Sequence, residues 1–391
     1  MSLRVAIVGA GTAGPAAAIL LARAGHEVVL LERAPRKLPV GAGFLLQPTG
    51  IAVLERLGVA AELLPHTTPI HHLHCRTLSE KVLLDLHYDE LPFTATGVGT
   101  HRATLLDALL DAVAKAGVEM HWNVEIKTLH RDPSGKPTLE DATGQKRGPF
   151  DLVLACDGAA SALRAQSGIP RRVSRYPWGA LWFIGKRTAE FDAHTLWQRV
   201  GTTRELTGFL PTGTRDDLLS LFWSIRMDRI EAWRATPLET WKTALLRLAP
   251  QAEGFLEQLR THEQLAIASY FDVRMPHWHG DRIAMLGDSA HALSPQLGQG
   301  VNLALMDAAA LADALQENSS LPAALDRYSE MRKKHLRFYQ FATRWATPFF
   351  QSDLLPAGWL RDLAFPMAMK FRWARRQITS VMAGARTGFL R

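Results

Sequence analysis

The opening of the chain constrains the fold most strongly, because it predicts a buried strand, a glycine-rich turn and a helix. Residues 5–8 are all apolar, as in a buried parallel strand, and Gly9, Gly11 and Gly14 follow with the spacing G-x-G-x-x-G. Residues 15–24 are small or aliphatic apart from one arginine, which favours a helix. A strand that enters a helix through glycines at this spacing is typical of dinucleotide-binding proteins.

The three glycines have different roles in such a turn. The first allows the tight turn, the second lets backbone approach a pyrophosphate, and the third lets helix and strand pack closely. A second apolar strand at residues 28–31 ends at Glu32, the acidic residue expected to bind a ribose hydroxyl. The unpaired N–H groups at the helix start would face the phosphates. The sequence therefore predicts a dinucleotide site, without deciding between NAD and FAD.

Composition excludes several other classes of protein. With 391 residues, 47% of them hydrophobic, the chain can bury the cores of two or more domains. The net charge of +7 would permit an acidic partner, but the N-terminal half has no dense basic run, which argues against nucleic acid. Cys75 and Cys156 are far apart and lack disulfide or zinc spacing, which favours a reducing compartment.

Targeting signals are also missing from the sequence pattern. No apolar run reaches the roughly 18 residues of a membrane-spanning helix. The first residues enter the first strand directly and leave no room for a cleavable signal. We therefore expect a cytoplasmic protein.

Another strand, turn and helix follow near the middle of the chain. Residues 150–155 predict a buried strand that leads into Asp157 and Gly158, and the helix after this turn carries Arg164. Taken alone, this stretch is equally consistent with an ordinary connection between a strand and a helix.

A third stretch of this kind lies in the last third of the chain. A strand over 281–286 leads into Gly287 and Asp288, and a glycine loop over 298–302 then starts a helix of small residues at 303–315. A carboxylate at a strand end can bind sugar hydroxyls, and the amides at a helix start can stabilise negative charge.

Between these two stretches the sequence changes in character. Residues 169–275 are rich in aromatic residues and predict strands, such as 218–226, and helices within 237–260. Aromatic side chains at this density either fill a core or line a pocket for a flat apolar ligand, and both interpretations stay open.

Three histidines within residues 70–75 raise the question of a metal site. Residues 70–75 and 81–87 predict short strands, and His71 and His72 would point to opposite faces of the first strand. Because no acidic partner stands at ligand spacing, we predict no metal site.

With three such stretches in this order, the chain resembles the flavoprotein aromatic hydroxylases. These are single-component FAD-dependent monooxygenases with the fold of para-hydroxybenzoate hydroxylase. Gly9 to Gly14 with Glu32 match the ADP-binding part of that family, Cys156 to Gly158 match its Asp-Gly motif, and Gly287 to Asn302 match its Gly-Asp motif. No motif for the substrate pocket of one subfamily is present, which leaves the substrate open.

The resemblance implies an α/β fold with a Rossmann-like FAD-binding domain, discontinuous in sequence, an inserted mixed β-sheet substrate domain and a helical C-terminal tail. We expect the FAD-binding domain at residues 1–70, 98–169 and 276–336, the substrate domain at 71–97 and 170–275, and the C-terminal helical segment at 337–391.

The resemblance also implies which residues contact the cofactor. FAD would be bound, while NAD(P)H and O2 would act as co-substrates. Arg102 would lie near the phosphates, just before a helix for which Thr104 is the expected N-cap. Residues 41–44 would form a loop beside the flavin ring. The expected cofactor residues are Gly9, Gly11, Thr12, Ala13, Gly14, Glu32, Arg33, Gly43, Arg102, Asp157, Gly158, Gly287, Asp288, Pro295, Gly298, Gln299, Gly300, Val301 and Asn302.

The chemistry implied by the resemblance is hydroxylation of an aromatic or polycyclic small molecule through a flavin C4a-hydroperoxide. A base for a phenolic substrate would come from the aromatic middle of the chain, where Tyr176, His194 and Tyr270 are candidates. Trp223 and Arg226 are candidate substrate contacts, the arginine as an anchor for a carboxylate.

Other functions stay open. The chain could be an FAD-dependent reductase that inserts no oxygen, or a hydroxylase of a lipid or quinone-like substrate at a membrane surface. A flavin-binding carrier without turnover is a third possibility. The W-x-W-x-I-P motif of flavin-dependent halogenases is absent from the sequence.

The last part of the chain, residues 337–391, mixes aromatic with basic residues. Such a basic amphipathic segment either packs on the two domains or lies on a membrane surface, and we expect packing. The expected binding partner is a small aromatic or hydrophobic substrate. The protein is expected to be a monomer or a homodimer.

Overall fold

The structure, a computed structural model, describes residues 1–35, 42–92, 96–213 and 217–388. The strands within these residues are, in chain order, β1 Arg4–Val8, β2 Glu27–Leu31, β3 Gly43–Leu46, β4 Thr68–Ile70, β5 His72–Thr77, β6 Val82–His87, β7 Gly97–His101, β8 Glu119–His121, β9 Ile126–Arg131, β10 Pro137–Asp141, β11 Lys146–Arg147, β12 Leu152–Ala155, β13 Arg172–Lys186, β14 Thr195–Val200, β15 Leu206–Gly213, β16 Leu218–Arg226, β17 Ala266–Arg274, β18 His279–Gly280 and β19 Ile283–Met285.

The α-helices of the same residues are α1 Ala13–Arg23, α2 Pro48–Arg56, α3 Ala60–Leu63, α4 Arg102–Lys115, α5 Ala162–Gln166, α6 Ile230–Ala235, α7 Leu238–Leu248, α8 Glu253–Leu256, α9 Asp288–His291, α10 Gly300–Glu317, α11 Leu321–Phe350, α12 Leu355–Met369 and α13 Arg372–Met382.

The strands that carry the three motifs are neighbours in one six-stranded sheet, with the order β18-β19-β12-β1-β2-β8. β1 pairs in parallel with β2 and β12, and β12 pairs in parallel with β19. Residues 152–155 and 283–285 are fully buried, which explains why these strands are apolar throughout rather than alternating. Each predicted motif therefore starts at the carboxyl end of one of three adjacent parallel strands.

A second, seven-stranded sheet has the order β17-β13-β16-β15-β14-β5-β6. β14 and β5 pair in parallel, while the other neighbours pair antiparallel, so the sheet is mixed as the resemblance implies. One face is covered by α7 and α8, with a core that includes Phe191, Phe209 and Phe255. The Phe191 and Phe209 ring centroids are 4.5 Å apart. Much of the aromatic content of this region therefore fills a core.

A small sheet of order β3-β7-β4 lies against the seven-stranded sheet, and two of its glycines allow the close approach. A Cβ on Gly99 would lie 1.8 Å from the Pro211 carbonyl oxygen, and one on Gly43 would lie 2.2 Å from Ser220 Oγ. Gly43, which the resemblance assigns to the cofactor, is therefore required by packing between β3 and β16.

The C-terminal segment is helical, as expected, but its helices differ in burial. α11 packs on both large sheets: the Tyr328 hydroxyl donates to the Met285 carbonyl of β19 at 2.8 Å, and Gln340 donates to the Val273 carbonyl of β17 at 3.1 Å. Most residues of α12 are half-buried or exposed. Among the described residues, no helix has both the length and the apolar character needed to cross a membrane.

One helix starts earlier than expected. α4 begins at Arg102, and its N-cap is His101, whose Nδ1 accepts a hydrogen bond from the Ala103 amide at 3.3 Å. The prediction of Thr104 as N-cap is wrong, because the helix begins two residues before Thr104 and the His101 imidazole caps it.

We expect Gly99→Ala to destabilise the protein by about 1–3 kcal/mol, the usual cost of forcing atoms into a packed region. The reason is that its Cβ would overlap the backbone of β15. Urea unfolding followed by fluorescence measures the effect. Gly254→Ala, within α8, is the control, since a Cβ on Gly254 would meet its nearest neighbour, Thr188 Cγ2, at the ordinary contact distance of 3.8 Å. Equal stability of the two variants would contradict the packing role of Gly99.

Candidate cofactor and active site

The turns after β1 and β12 touch each other, and this contact requires glycine. Gly9 has φ +106°, and a Cβ there would lie 2.3 Å from the Cys156 carbonyl oxygen. A Cβ on Gly14 would lie 1.9 Å from the Gly9 carbonyl oxygen, where α1 starts. Two of the three glycines of the first motif are therefore fixed by contacts within the protein.

Gly11 differs from its two neighbours in the motif. A Cβ on Gly11 would meet nothing within 4 Å, and its φ is not in the left-handed region. The same open space is found at Gly298 and Gly300, at the start of α10. Packing within the protein does not require glycine at Gly11, so the space it leaves fits a group bound outside the backbone, as a pyrophosphate would be.

Glu32 holds the turn around this space. One carboxylate oxygen accepts a hydrogen bond from the Ala10 amide at 2.6 Å, and the other accepts one from the Ala34 amide at 2.9 Å. The side chain is half-buried at the end of β2, while Arg33 is exposed. Glu32 thus fixes the first motif and still presents a carboxylate at the strand end.

The second motif is tied to the third through Arg164. Asp157 accepts hydrogen bonds from the Ala162 and Leu163 amides at 2.9 and 3.3 Å, and burial raises the pKa of its carboxyl. The buried Arg164 guanidinium donates to the Ala159 carbonyl at 2.7 Å and to the Ser289 carbonyl at 3.1 Å. The two turns are therefore held in one fixed arrangement.

The third motif depends on Asp307, which the sequence analysis missed. Gly287, with φ +62°, donates its amide to Asp307 Oδ2 at 2.8 Å. The same carboxylate accepts from His291 at 2.6 Å and from Arg332 Nε at 2.7 Å. Burial alone would raise the Asp307 pKa, but His291 and Arg332 outweigh burial and lower it to about 2. The available sequence signal was that residues 303–312 of α10 are apolar except for Asp307.

Asp288 follows this turn at the start of α9 and is exposed. Gly287 lies where α1 and α10 converge, since a Cβ there would be 3.4 Å from Ala13 Cβ and 3.2 Å from Ala304 Cβ. The Asp288 carboxylate is therefore presented beside the starts of both helices.

Several of the expected cofactor residues in the loop before α10 are exposed. Pro295 begins a short 3-10 helix, Gly298 has φ +60°, and Pro295, Gly298 and Gly300 are all exposed. Asn302 is buried instead, and its Oδ1 accepts the Gln47 amide at 2.8 Å. Asn302 therefore fixes the end of β3 to α10.

Buried polar atoms that lack a hydrogen-bond partner among the described residues lie next to this loop: Gln47 Nε2, Thr49 Oγ1 and Gln299 Oε1. Leaving such an atom unsatisfied costs about 1–3 kcal/mol, so these atoms fit a polar ligand. Gln47 and Thr49 were missed because nothing in the sequence near residue 47 resembles a binding motif. Residue 41 of the expected loop beside the flavin lies outside the described residues.

Of the three candidate bases, two lie on adjacent strands. Tyr176 is on β13 and Tyr270 on the adjacent β17, and burial raises the pKa of each hydroxyl to about 12. Both are therefore neutral hydrogen-bonding groups near pH 7. His194 is exposed in front of β14, where its Nδ1 contacts the Pro69 carbonyl at 2.8 Å, and three strands separate β14 from β17.

The two candidate substrate contacts have structural roles instead. Trp223 is buried against Trp241, with ring centroids 6.1 Å apart. Arg226 pairs with Asp228 at 2.7 Å and also with Asp353. The indole fills the core under α7, and the guanidinium is paired with two carboxylates.

A polar connection from the sheet to the α10 loop was not foreseen. Gln351 donates to Ser224 Oγ at 2.8 Å, and Gln296 donates to Gln351 Oε1 at 2.6 Å. Ser220 and Thr212 on the same face have hydroxyls 3.1 Å apart. These side chains lie 55 or more positions apart in sequence or on different strands, so no sequence pattern could group them.

The histidines near residue 72 do have an acidic partner, contrary to the sequence argument. Asp85 on β6 accepts from His72 Nε2 at 2.8 Å and His74 Nδ1 at 3.3 Å. Arg76 Nε donates to His74 Nε2 at 2.6 Å, which places the ring proton on Nδ1. Burial lowers the pKa of both histidines. Hydrogen bonds account for this cluster, and the absence of a metal site stays a prediction.

We expect Asp307→Asn to destabilise the protein by about 3–5 kcal/mol at neutral pH, because it leaves the buried Arg332 charge without its partner. Denaturant unfolding at pH 7 measures the loss. Asp326→Asn is the control, since Asp326 pairs with His279 at 3.2 Å but is 76% exposed. Unchanged stability of Asp307→Asn would contradict the role of Asp307 in holding Gly287, His291 and Arg332 together.

The stabilisation that Asp307 contributes to the folded state decreases at low pH. The Asp307 pKa falls from 3.8 to about 2 on folding, so its stabilisation is present above about pH 4 and is lost as the pH falls through 2. The stability difference between wild type and Asp307→Asn should therefore shrink over that window.

Comparison with known proteins agrees with this geometry. The family described as FAD binding domain matches residues 2–339. A 2-heptyl-3-hydroxy-4(1H)-quinolone synthase of Mycobacteroides abscessus is 30% identical over 83% of this chain and 84% of its own. A kynurenine 3-monooxygenase of Salinispora arenicola is 27% identical over 85% and 76%.

Among solved structures, the tetrameric form of 2-methyl-3-hydroxypyridine-5-carboxylic acid oxygenase superposes with a TM-score of 0.78 at 23% identity. The match covers 94% of this chain and 97% of that one. The family match, which spans most of the chain, and the shared fold agree with the three motifs. The chain belongs to the FAD binding domain family and is an FAD-dependent enzyme of the aromatic monooxygenase type.

Proposed function

We propose that the protein uses NAD(P)H and O2 to hydroxylate an aromatic or polycyclic small molecule. The observation that supports this most is the convergence of three motifs at the carboxyl ends of β1, β12 and β19. Ligand sites of open α/β sheets lie at such strand ends. The similarity to a quinolone synthase and a kynurenine monooxygenase supports a bicyclic or substituted aromatic substrate.

We assign the cofactor contacts from the open space and the unsatisfied groups. Gly11 and the start of α1 would hold the pyrophosphate, Glu32 a ribose hydroxyl, and Asp288 the ribityl chain. Gln47, Thr49 and Gln299 would satisfy polar atoms of the ring system. Bound FAD supplies the redox chemistry, by taking electrons from NAD(P)H and activating O2.

The residues of the chain would orient and shield the reacting groups. The start of α10 stabilises negative charge in front of Gly300, since the helix dipole is positive there. Tyr176 and Tyr270, neutral near pH 7, act as hydrogen-bond donors to a substrate rather than as bases. The small sheet of β3, β7 and β4 closes the site against the seven-stranded sheet and excludes water.

We infer the same division into domains as in the sequence analysis, and a cytoplasmic protein that acts as a monomer or homodimer without a nucleic acid partner. Cys75 and Cys156 are free, which supports a reducing compartment.

We expect Asp288→Ala to be purified with little bound FAD, because the variant removes the carboxylate presented at the end of β19. The flavin absorbance per polypeptide measures occupancy. Asp281→Ala is the matched control, since Asp281 precedes β19 and forms an exposed ion pair with Arg131 at 2.9 Å. Full flavin occupancy in Asp288→Ala would refute this assignment.

The activity is tested by NAD(P)H oxidation against a panel of quinolones, aromatic acids, phenols and polycyclic ketones, with O2 uptake and peroxide measured together. We expect one class to accelerate oxidation while O2 is consumed without equivalent peroxide, because oxygen enters the product. Accelerated oxidation without O2 consumption would instead identify a reductase.

A further inference from the structure

The exposed apolar surface of the protein is concentrated in its C-terminal helices. Ten of the thirteen large hydrophobic side chains that are exposed in the described residues lie between 341 and 373. Monomeric soluble proteins seldom leave such side chains grouped, so a grouped set marks a contact surface.

On α12 the exposed side chains form one stripe. Trp359, Leu363 and Met367 are 75%, 70% and 51% exposed and stand four residues apart, on one side of the helix. Phe371 and Trp373, 62% and 73% exposed, follow at the junction of α12 and α13. We call these five side chains the apolar stripe.

An overlapping segment, residues 354–391, holds most of the net positive charge of the chain. Residues 354–391 contain seven Lys and Arg but a single acidic residue, and so six of the seven net charges. Arg361 is paired with Asp362 at 2.7 Å and Arg375 with Glu90 at 2.6 Å. Arg372, Arg376 and Arg386 have no ion pair with a described residue.

These three arginines line a pocket of about 410 Å³, together with Trp373 and Ser380. The Nε atoms of Arg376 and Arg386 are buried and have no hydrogen-bond partner among the described residues. A guanidinium group binds phosphate oxygens through parallel N–H donors, so the pocket fits a phosphate-class anion.

The stripe and the pocket together narrow the choice of partner. A second copy would bring the same cations to the interface and repel, and a nucleic acid would leave the apolar stripe in water. An anionic phospholipid surface can bind both the pocket and the stripe. Its headgroups carry phosphates for the arginines, and its interface accepts Trp, Leu and Met side chains. A spanning orientation is not available to the helices of the described residues.

We propose that α12 and α13 dock the protein on the surface of an anionic membrane, with a lipid phosphate in the arginine pocket and the apolar stripe in the headgroup region. This inference does not depend on the proposed activity.

The test is co-sedimentation of the full-length holoenzyme with vesicles of phosphatidylcholine, with and without phosphatidylglycerol. We expect binding to the anionic vesicles, weakened by salt. Arg372→Gln/Arg376→Gln should weaken binding to the anionic vesicles about thirtyfold, from roughly 1 kcal/mol per basic residue near such a surface. Trp359→Ser/Trp373→Ser should weaken it as well.

The control variant Arg229→Gln/Arg234→Gln removes the same charge around the start and end of α6 and should bind vesicles like wild type. Flavin content and the thermal unfolding midpoint confirm that each variant is folded. Four results would overturn the proposal: no binding to either vesicle, equal binding to neutral vesicles, equal loss in the control variant, or self-association that the Trp359→Ser/Trp373→Ser variant abolishes. Binding of inorganic pyrophosphate without vesicle binding would identify a soluble phosphate ligand and would also overturn it.

Discussion

The buried Asp307 carboxylate is the interaction on which the cofactor site depends most. It accepts hydrogen bonds from the Gly287 amide, His291 and Arg332, and so joins the third motif, α9, α10 and α11. A buried charge is stable only when it is paired and hydrogen-bonded, and removal of any partner leaves the others uncompensated. The turn that presents Asp288 is therefore held by Asp307 on α10, which lies twenty positions from Gly287 in sequence.

The parts of the fold that could be predicted from the sequence are those set by local backbone chemistry. Two glycines of the first motif are required by the local backbone, Gly9 by its φ and Gly14 by its close approach to the Gly9 carbonyl. Fully buried parallel strands give continuous apolar runs, so β1, β12 and β19 could be predicted from residues alone. These three strands and their turns were sufficient to identify the family.

The parts that could not be predicted depend on register and on distant partners. Asp85 meets His72 only because β5 and β6 pair with that register. Arg226 is neutralised by Asp353, which lies 127 positions away, and Trp223 points to the α7 side of its strand. An arginine or an indole in a strand pattern is equally compatible with a pocket and with a core, so only the packed structure decides between them.

The account rests on one claim, that the three motifs form a single FAD site. A crystal structure of the holoenzyme tests it most directly. We predict density for the adenosine ribose at Glu32, for the pyrophosphate at Gly11 and the start of α1, and for the flavin ring beside Pro295 and the start of α10. A flavin that contacts only one of the motifs, or that lies away from the carboxyl ends of β1, β12 and β19, would contradict the account.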